Sequence, residues 1–139
     1  MNRTPVDTAK HIFGAFTQGD IPAVLACLAP DVQWEYGPVS QNVPWYQNRH
    51  GIEGATEFFQ SLAGCEFHKF QTTAFLGEGN TVVVLLDSEY TVKKTGRKVV
   101  YEDAVFVLKF NSSGQIAKFA HRVDLHQAWV AYNEEAINV

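Results

Sequence analysis

The side chains best suited to chemistry lie late in the chain. Arg122 and Asp124 are two residues apart at the end of an alternating apolar stretch, so on a strand both point to one side. An Asp in an apolar pocket has its charged form disfavoured. Its pKa then rises toward the range in which it can give and take a proton. A neighbouring Arg122 could hold that carboxylate, or bind a carbonyl or carboxylate of a substrate. His121 faces the other way, so it enters the site only if the strand carries a bulge. Each has a structural alternative. Asp124 is placed to cap a helix from His126 onward, and Arg122 could belong to a surface ion pair of small worth.

Glu102 and Asp103 are the second acidic pair. Adjacent residues on a strand point to opposite faces, so one of the two should face a pocket. On that count Val100, Glu102, Ala104, Phe106 and Leu108 share one face, and Tyr101, Asp103, Val105 and Val107 the other. Both faces are largely apolar, which implies cover on both sides. Helices and a pocket would cover one, and a second subunit the other, so a homodimer through the outer face of the sheet is expected. A buried acid on either face needs a partner such as Arg122 or His121. The alternative is a structural hydrogen bond at the dimer contact.

Other chemistries lack residues. The five His, at 11, 50, 68, 121 and 126, show no metal-ligand spacing, so no metal is expected. Nucleophile elbows and phosphate-cradling glycine loops are absent, and no cofactor is implied. A net charge of −4 without a large basic cluster argues against nucleic acid. No apolar run is long enough for a membrane span, and the start has no apolar signal core. Cys27 and Cys65 sit in apolar surroundings and read as reduced core thiols, with a single disulfide as the alternative. The cytoplasm is the expected location.

The 139 residues suit one domain, 1–139, able to bury a core without staples. Aromatic residues reach 13%, with ten Phe, five Tyr and three Trp, more than a minimal core needs. An aromatic-lined cavity is one explanation and an apolar dimer face another. Trp34, Tyr36, Phe58, Phe59, Phe70 and Phe106 are candidate pocket walls. For each alone, core packing is the competing role.

The elements that must position these residues follow from periodicity. Thr4-Pro5-Val6-Asp7 starts a helix with a box-like cap, and Gly19 ends it. Asp20 caps a second helix, with Leu28 on its apolar face and Pro30 as its stop. Val32 to Tyr36 alternate as a short strand. Residues 37–50 read as irregular, with Trp45 and Tyr46 either folding back onto the core or forming a lid or partner surface. Gly51 to Gly64 form a third helix. Four strands follow, roughly Glu66–Leu76, Thr81–Lys93, Lys98–Phe110 and Gln115–Leu125, joined by turn-forming residues. A last helix runs from His126 to about Ile137. The predicted class is α+β: a strongly bent antiparallel sheet with N-terminal helices over its concave side, shaped as a cone whose open end takes an apolar small molecule.

This order resembles the nuclear transport factor 2-like superfamily, and within it the SnoaL-like group related to polyketide cyclases and ketosteroid isomerase. The resemblance is carried by Phe13-Gly14-Ala15-Phe16-Thr17-Gln18-Gly19-Asp20, Leu28-Ala29-Pro30-Asp31-Val32-Gln33-Trp34, Gly51-Ile52-Glu53-Gly54-Ala55, Gly114-Gln115-Ile116 and Arg122-Val123-Asp124. It spans nearly the whole chain. The classical steroid isomerase residues are absent, because the tyrosine, base and second-acid positions fall near Ile12, Tyr36 and Phe106. In cyclase and epoxide hydrolase branches an acid lies late in the final strand, which Asp124 matches. The resemblance thus implies a cofactor-independent cyclase or isomerase acting by acid–base chemistry on an apolar carbonyl compound. The alternatives are a non-catalytic binding or dimerisation module, and epoxide hydrolysis. Hydrolysis would need two acids bridged by an Arg, and no Arg accompanies Asp87 and Glu89 in their strand.

Overall fold

The computed structural model describes residues 3–36 and 43–134. Four α-helices and one 3-10 turn accompany a six-stranded sheet. Helix α1 (Pro5–Thr17) starts as its sequence dictates. The Thr4 hydroxyl accepts from the Asp7 amide at 3.1 Å, the Asp7 carboxylate accepts from the Thr4 amide at 3.4 Å, and Pro5 takes the first turn. Gly19 then adopts φ +76°, a left-handed conformation that is inexpensive for glycine. Helix α2 (Ile21–Leu25) is capped by Asp20.

Helix α2 ends five residues before Pro30, and β1 (Leu28–Glu35) has already begun at Leu28. Leu28 does not extend the helix because it is paired with Ile116 in the sheet. Pro30 lies where the β1 register shifts, so its missing N–H breaks no regular ladder. Strand β2 is only Arg49–His50, antiparallel to β1. It falls in the stretch expected to be irregular, and two residues leave no alternation to read. Of that stretch, residues 37–42 lie outside the described residues.

Helix α3 (Gly51–Ser61) runs into a 3-10 turn at Leu62–Gly64. Strands β3 (Cys65–Glu78), β4 (Thr81–Val92), β5 (Lys98–Phe110) and β6 (Ile116–Arg122) follow. The sheet order is β2-β1-β6-β5-β4-β3, and only the β1–β6 pairing is parallel. The sheet curls without closing. Helices α1 and α3 pack into its concave side, with α1 against β3 and β4 and α3 against β1. Helix α4 (Leu125–Asn133) packs on β5. The part of the last helix expected beyond residue 134 lies outside the described residues.

Two local features overturn the strand-face assignments. Strand β6 stops at Arg122, and Asp124 is the N-cap of α4, so the two do not share a strand face. Strand β5 carries a bulge. Leu86 pairs with Ala104 but Ser88 with Tyr101, so Glu102 and Asp103 together oppose Asp87. Asp103 takes φ +54°, and its amide donates to the Asp87 carboxylate at 3.0 Å. The extra residue switches parity. Val99 and Tyr101 face inward before the bulge, and Ala104, Phe106 and Leu108 after it. Glu102 and Asp103 are therefore both exposed, and neither faces the interior.

Candidate functional site

The concave side of the sheet holds a pocket walled almost wholly by apolar side chains. Helix α1 contributes Ile12, Phe13 and Phe16. Strand β1 contributes Trp34, and α3 contributes Phe58 and Phe59. From the sheet come Phe70, Leu86, Ser88, Tyr90, Phe106, Phe119 and His121. Strands β4 and β6 supply alternate residues, as a half-buried strand must. On β4 the inward run is Val82, Val84, Leu86, Ser88, Tyr90 and Val92, and Ser88 is its break in apolar character. Trp45 and Tyr46 fold back from the 43–48 segment and complete the wall, both nearly fully buried. That segment is held by its own bonds. The Gln47 amide donates to the Val43 carbonyl at 2.8 Å, and the Asn48 side chain accepts from the Tyr36 amide at 2.7 Å.

The rings are ordered by stacking. Trp34 lies flat on Phe119, centroids 4.1 Å apart and planes 9° apart. His121 lies flat on Phe106 at 3.9 Å and 11°. The free space measures about 70 Å³ to the centres of a water-sized sphere. At its rim Phe67 is 39% exposed, and Leu62 and Phe70 are half-buried.

No Asp, Glu, Lys or Arg side chain among the described residues lines this pocket. Its polar groups are hydroxyls, the indole N–H groups of Trp34 and Trp45, and one imidazole. Trp45 Nε1 donates to the Tyr90 hydroxyl at 3.1 Å, and that hydroxyl donates to Tyr46 at 3.2 Å. Burial raises all three of Tyr46, Tyr90 and Tyr101 as acids, Tyr90 to about 12. His121 is the exception to polar satisfaction. Only 8% of it is exposed, and neither ring nitrogen has a hydrogen-bond partner among the described residues. Burial, with the Arg122 charge adding to it, pushes its pKa down to about 3. The ring is therefore a neutral imidazole at physiological pH, with one N–H donor and one bare nitrogen acceptor.

The residues expected to carry chemistry divide between two places. Trp34, Phe58, Phe59, Phe70, Phe106 and His121 line the pocket. His121 faces inward because β6 carries a bulge: Lys118 pairs with Lys109 but Ile116 with Phe110, so Ala117 is the extra residue, and Phe119 and His121 fall opposite the inward-facing Leu108 and Phe106. That bulge is the condition on which the sequence admits His121 to the site. Asp124, Arg122, Glu102 and Tyr36 line a separate, open groove of about 640 Å³ between the start of β5 and the β6–α4 turn. Asp124 is exposed and its carboxylate accepts from the Gln127 amide at 3.1 Å, the capping role. Its carbonyl accepts from the Tyr101 hydroxyl at 3.0 Å. Arg122 donates to Glu35 at 2.7 Å, and Lys118 lies 3.2 Å from the same carboxylate. Arg122, then Lys118, holds Glu35 below the usual carboxylate range. Tyr36 is buried with its ring 5.3 Å from His121.

Asp87 and Glu89 point away from the pocket. Asp87 holds the bulge, and Glu89 lies 3.8 Å from Lys98. These two acids and Arg122 do not form the two-acid, one-Arg arrangement of epoxide hydrolysis. Both cysteines are free thiols, with burial pushing Cys65 up to about 12. No cluster of three or more metal-ligating side chains occurs among the described residues. No helix of the described residues is long and apolar enough to cross a membrane. Sequence reasoning missed Ser88, Tyr46 and Tyr90 as pocket groups. The period-2 pattern of β4 held the signal for Ser88 and Tyr90, whereas nothing local places Tyr46.

A family model, the SnoaL-like domain, matches residues 9–119. No curated protein sequence matches the chain. Among solved structures, an NTF2-like protein of unknown function from Burkholderia pseudomallei is 23% identical, with 94% of this chain and 99% of that chain covered and a TM-score of 0.81. TerC, co-crystallised with polyporic acid, is 18% identical over 94% of this chain and 100% of its own, with a TM-score of 0.77. A LEH-like epoxide hydrolase of M. tuberculosis is 13% identical over 92% of this chain and 88% of its own, with a TM-score of 0.68. At these identities the likeness is one of fold.

Proposed function

Because the chain belongs to the SnoaL-like domain family, we propose that it binds an apolar small molecule inside the cone, with His121 as the polar anchor of that site. The observation that carries this reading is the pocket wall: mainly aromatic and, among the described residues, free of charged side chains and holding one neutral imidazole without a hydrogen-bond partner. Convergent polar groups in an apolar concavity are the usual form of a small-molecule site. TerC, of the same fold, is co-crystallised with a small molecule. As a general base His121 is poorly matched to neutral pH, since its pKa lies near 3. A neutral imidazole can still donate to a substrate carbonyl and polarise it. Chemistry of the cyclase or isomerase kind would use it in that role.

The test is calorimetric titration with benzene and with toluene. Both should bind, and both should raise the melting temperature. If neither does either, the pocket reading is wrong.

A second reading keeps acid–base chemistry on Asp124, assisted by Arg122. It is favoured by the groove, where these two side chains and Glu102 meet open space. The readings separate on two variants. His121→Gln should weaken binding in the cone and Asp124→Asn should leave it unchanged. The reverse pattern would move the function to the groove. We also propose a homodimer through the outer face of the sheet, where the cross-strand pairs Val83–Val107 and Leu85–Val105 lie side by side and only half-buried.

A further inference from the structure

From the pocket chemistry we infer that the ligand is an uncharged single aromatic ring bearing a hydroxyl group, bound with that hydroxyl against His121. The inference rests on the cone being the binding site and goes beyond it by naming what is selected and what is refused.

The argument starts from the unpaired imidazole. A buried polar group without a partner is costly, and native proteins rarely leave one. Among the described residues His121 has two such atoms on one ring, in a wall that, the Ser88 hydroxyl aside, is otherwise bonded or apolar. The tyrosines and Trp45 bond one another, so their hydroxyls leave the imidazole unserved. Ser88, on the neighbouring inward face of β4, makes no side-chain hydrogen bond to a described residue. The site therefore offers a donor and an acceptor on one ring, and a hydroxyl beside apolar walls. A ligand hydroxyl matches either ring nitrogen, because it donates to the bare one or accepts from the N–H. A carbonyl matches the N–H alone.

Charge is refused for a separate reason. His121 stays neutral, and no Lys or Arg lines the wall to receive an anion. Among the described residues no carboxylate lines it to receive a cation. A carboxylate or ammonium entering there would lose its hydration with nothing in return. The ring requirement follows from shape and size. The walls are aromatic rings, stacked at Trp34–Phe119 and His121–Phe106 and edge-on at Phe13–Phe106 and Trp34–Phe59, and an engineered apolar cavity of about 150 Å³ takes benzene. The present space of about 70 Å³ is smaller, so one ring enters only with displacement of the rim at Phe67. Rotamer changes of that kind are ordinary on binding.

The experiment compares toluene, phenol and benzoate by calorimetry at neutral pH, since toluene and phenol differ by a methyl against a hydroxyl. Phenol should bind at least about tenfold tighter than toluene, the worth of one good hydrogen bond. Benzoate should not bind. In His121→Phe the order should invert, with toluene favoured. Should that variant fail to fold, the wild type suffices. The ring ¹⁵N resonances of His121 should move with phenol and stay with toluene. Toluene binding as tightly as phenol, or unmoved His121 resonances in the phenol complex, overturns the inference while leaving the pocket intact. If neither neutral ring binds, the pocket reading fails and this one with it.

Discussion

His121 links the candidate site to stability. Its ordinary pKa near 6.5 applies in the unfolded chain, whereas in the folded protein it is about 3. As pH falls below the unfolded value the unfolded state takes up a proton that the native state refuses. Stability is therefore complete above about pH 6.5 and is lost as pH drops toward 3, at about 1.4 kcal/mol per pH unit. Lowering pH from about 8 to about 5 should remove roughly 2 kcal/mol by urea unfolding. This window lies above the titration of ordinary carboxylates, and the slope should flatten in His121→Gln. An unchanged slope would mean that the ring is solvated. Asp124 makes a contrasting prediction. As the N-cap of α4, its replacement by Ala should cost about 1 kcal/mol, and by Asn only a few tenths. Chemical denaturation of both variants checks this. Asparagine caps as well as aspartate but cannot act as an acid, so a large stability loss in Asp124→Asn would point to a role for the charge itself.

At the scale of elements, the β5 bulge decides which residues meet the pocket. It turns Phe106 inward beside His121 and sends both neighbouring acids to solvent. The bulge holds Asp103 at φ +54°, a strained value for a residue with a Cβ. Asp103→Gly should therefore stabilise the fold by about 0.5–1 kcal/mol, read as a higher urea midpoint. Asp87→Ala removes the acceptor of the Asp103 amide and should cost about 1 kcal/mol. If Asp103→Gly destabilised the protein, the left-handed assignment would fail. The same region shows why strand faces were misread. Alternation predicts faces only while the ladder is regular, and the residues Glu102-Asp103 give no local sign of an inserted position. The end of β6 was hidden likewise, because Val123 and Leu125 continue the apolar alternation through the turn into α4. Helix starts were legible. Thr4, Asp20 and Pro5 act on their own first turns, and those local interactions need no distant partner.

For the whole molecule, the sheet presents its second face to solvent in a single subunit. Val83, Leu85, Val105 and Val107 form a half-buried apolar centre there, ringed by charged groups such as the Glu35–Arg122 pair. A second copy laid on this face would bury them. Sedimentation velocity should give the mass of a dimer, and Leu85→Glu that of a monomer with its helical content kept. A wild type that sediments as a monomer at every concentration would remove the dimer. The pocket on the opposite face should survive in the monomeric variant, since no outer-face residue lines it.

The sequence by itself determined the class, the order of the main elements and the aromatic nature of the pocket, whereas the absence of charge from the described wall came from the fold. The first three follow from periodicity, capping and composition, which are properties of short stretches. It also names part of the wall, in Trp34, Phe58, Phe59, Phe70 and Phe106. Tertiary structure alone decided which polar group the pocket received. One inserted residue in β5, another in β6 and the early end of β6 set the faces of Phe106, His121 and Asp124. Trp45 and Tyr46 reach the cavity by packing across 44 and more residues of sequence. Parity and long-range packing depend on where strands meet, and that is a property of the assembled sheet rather than of any local stretch.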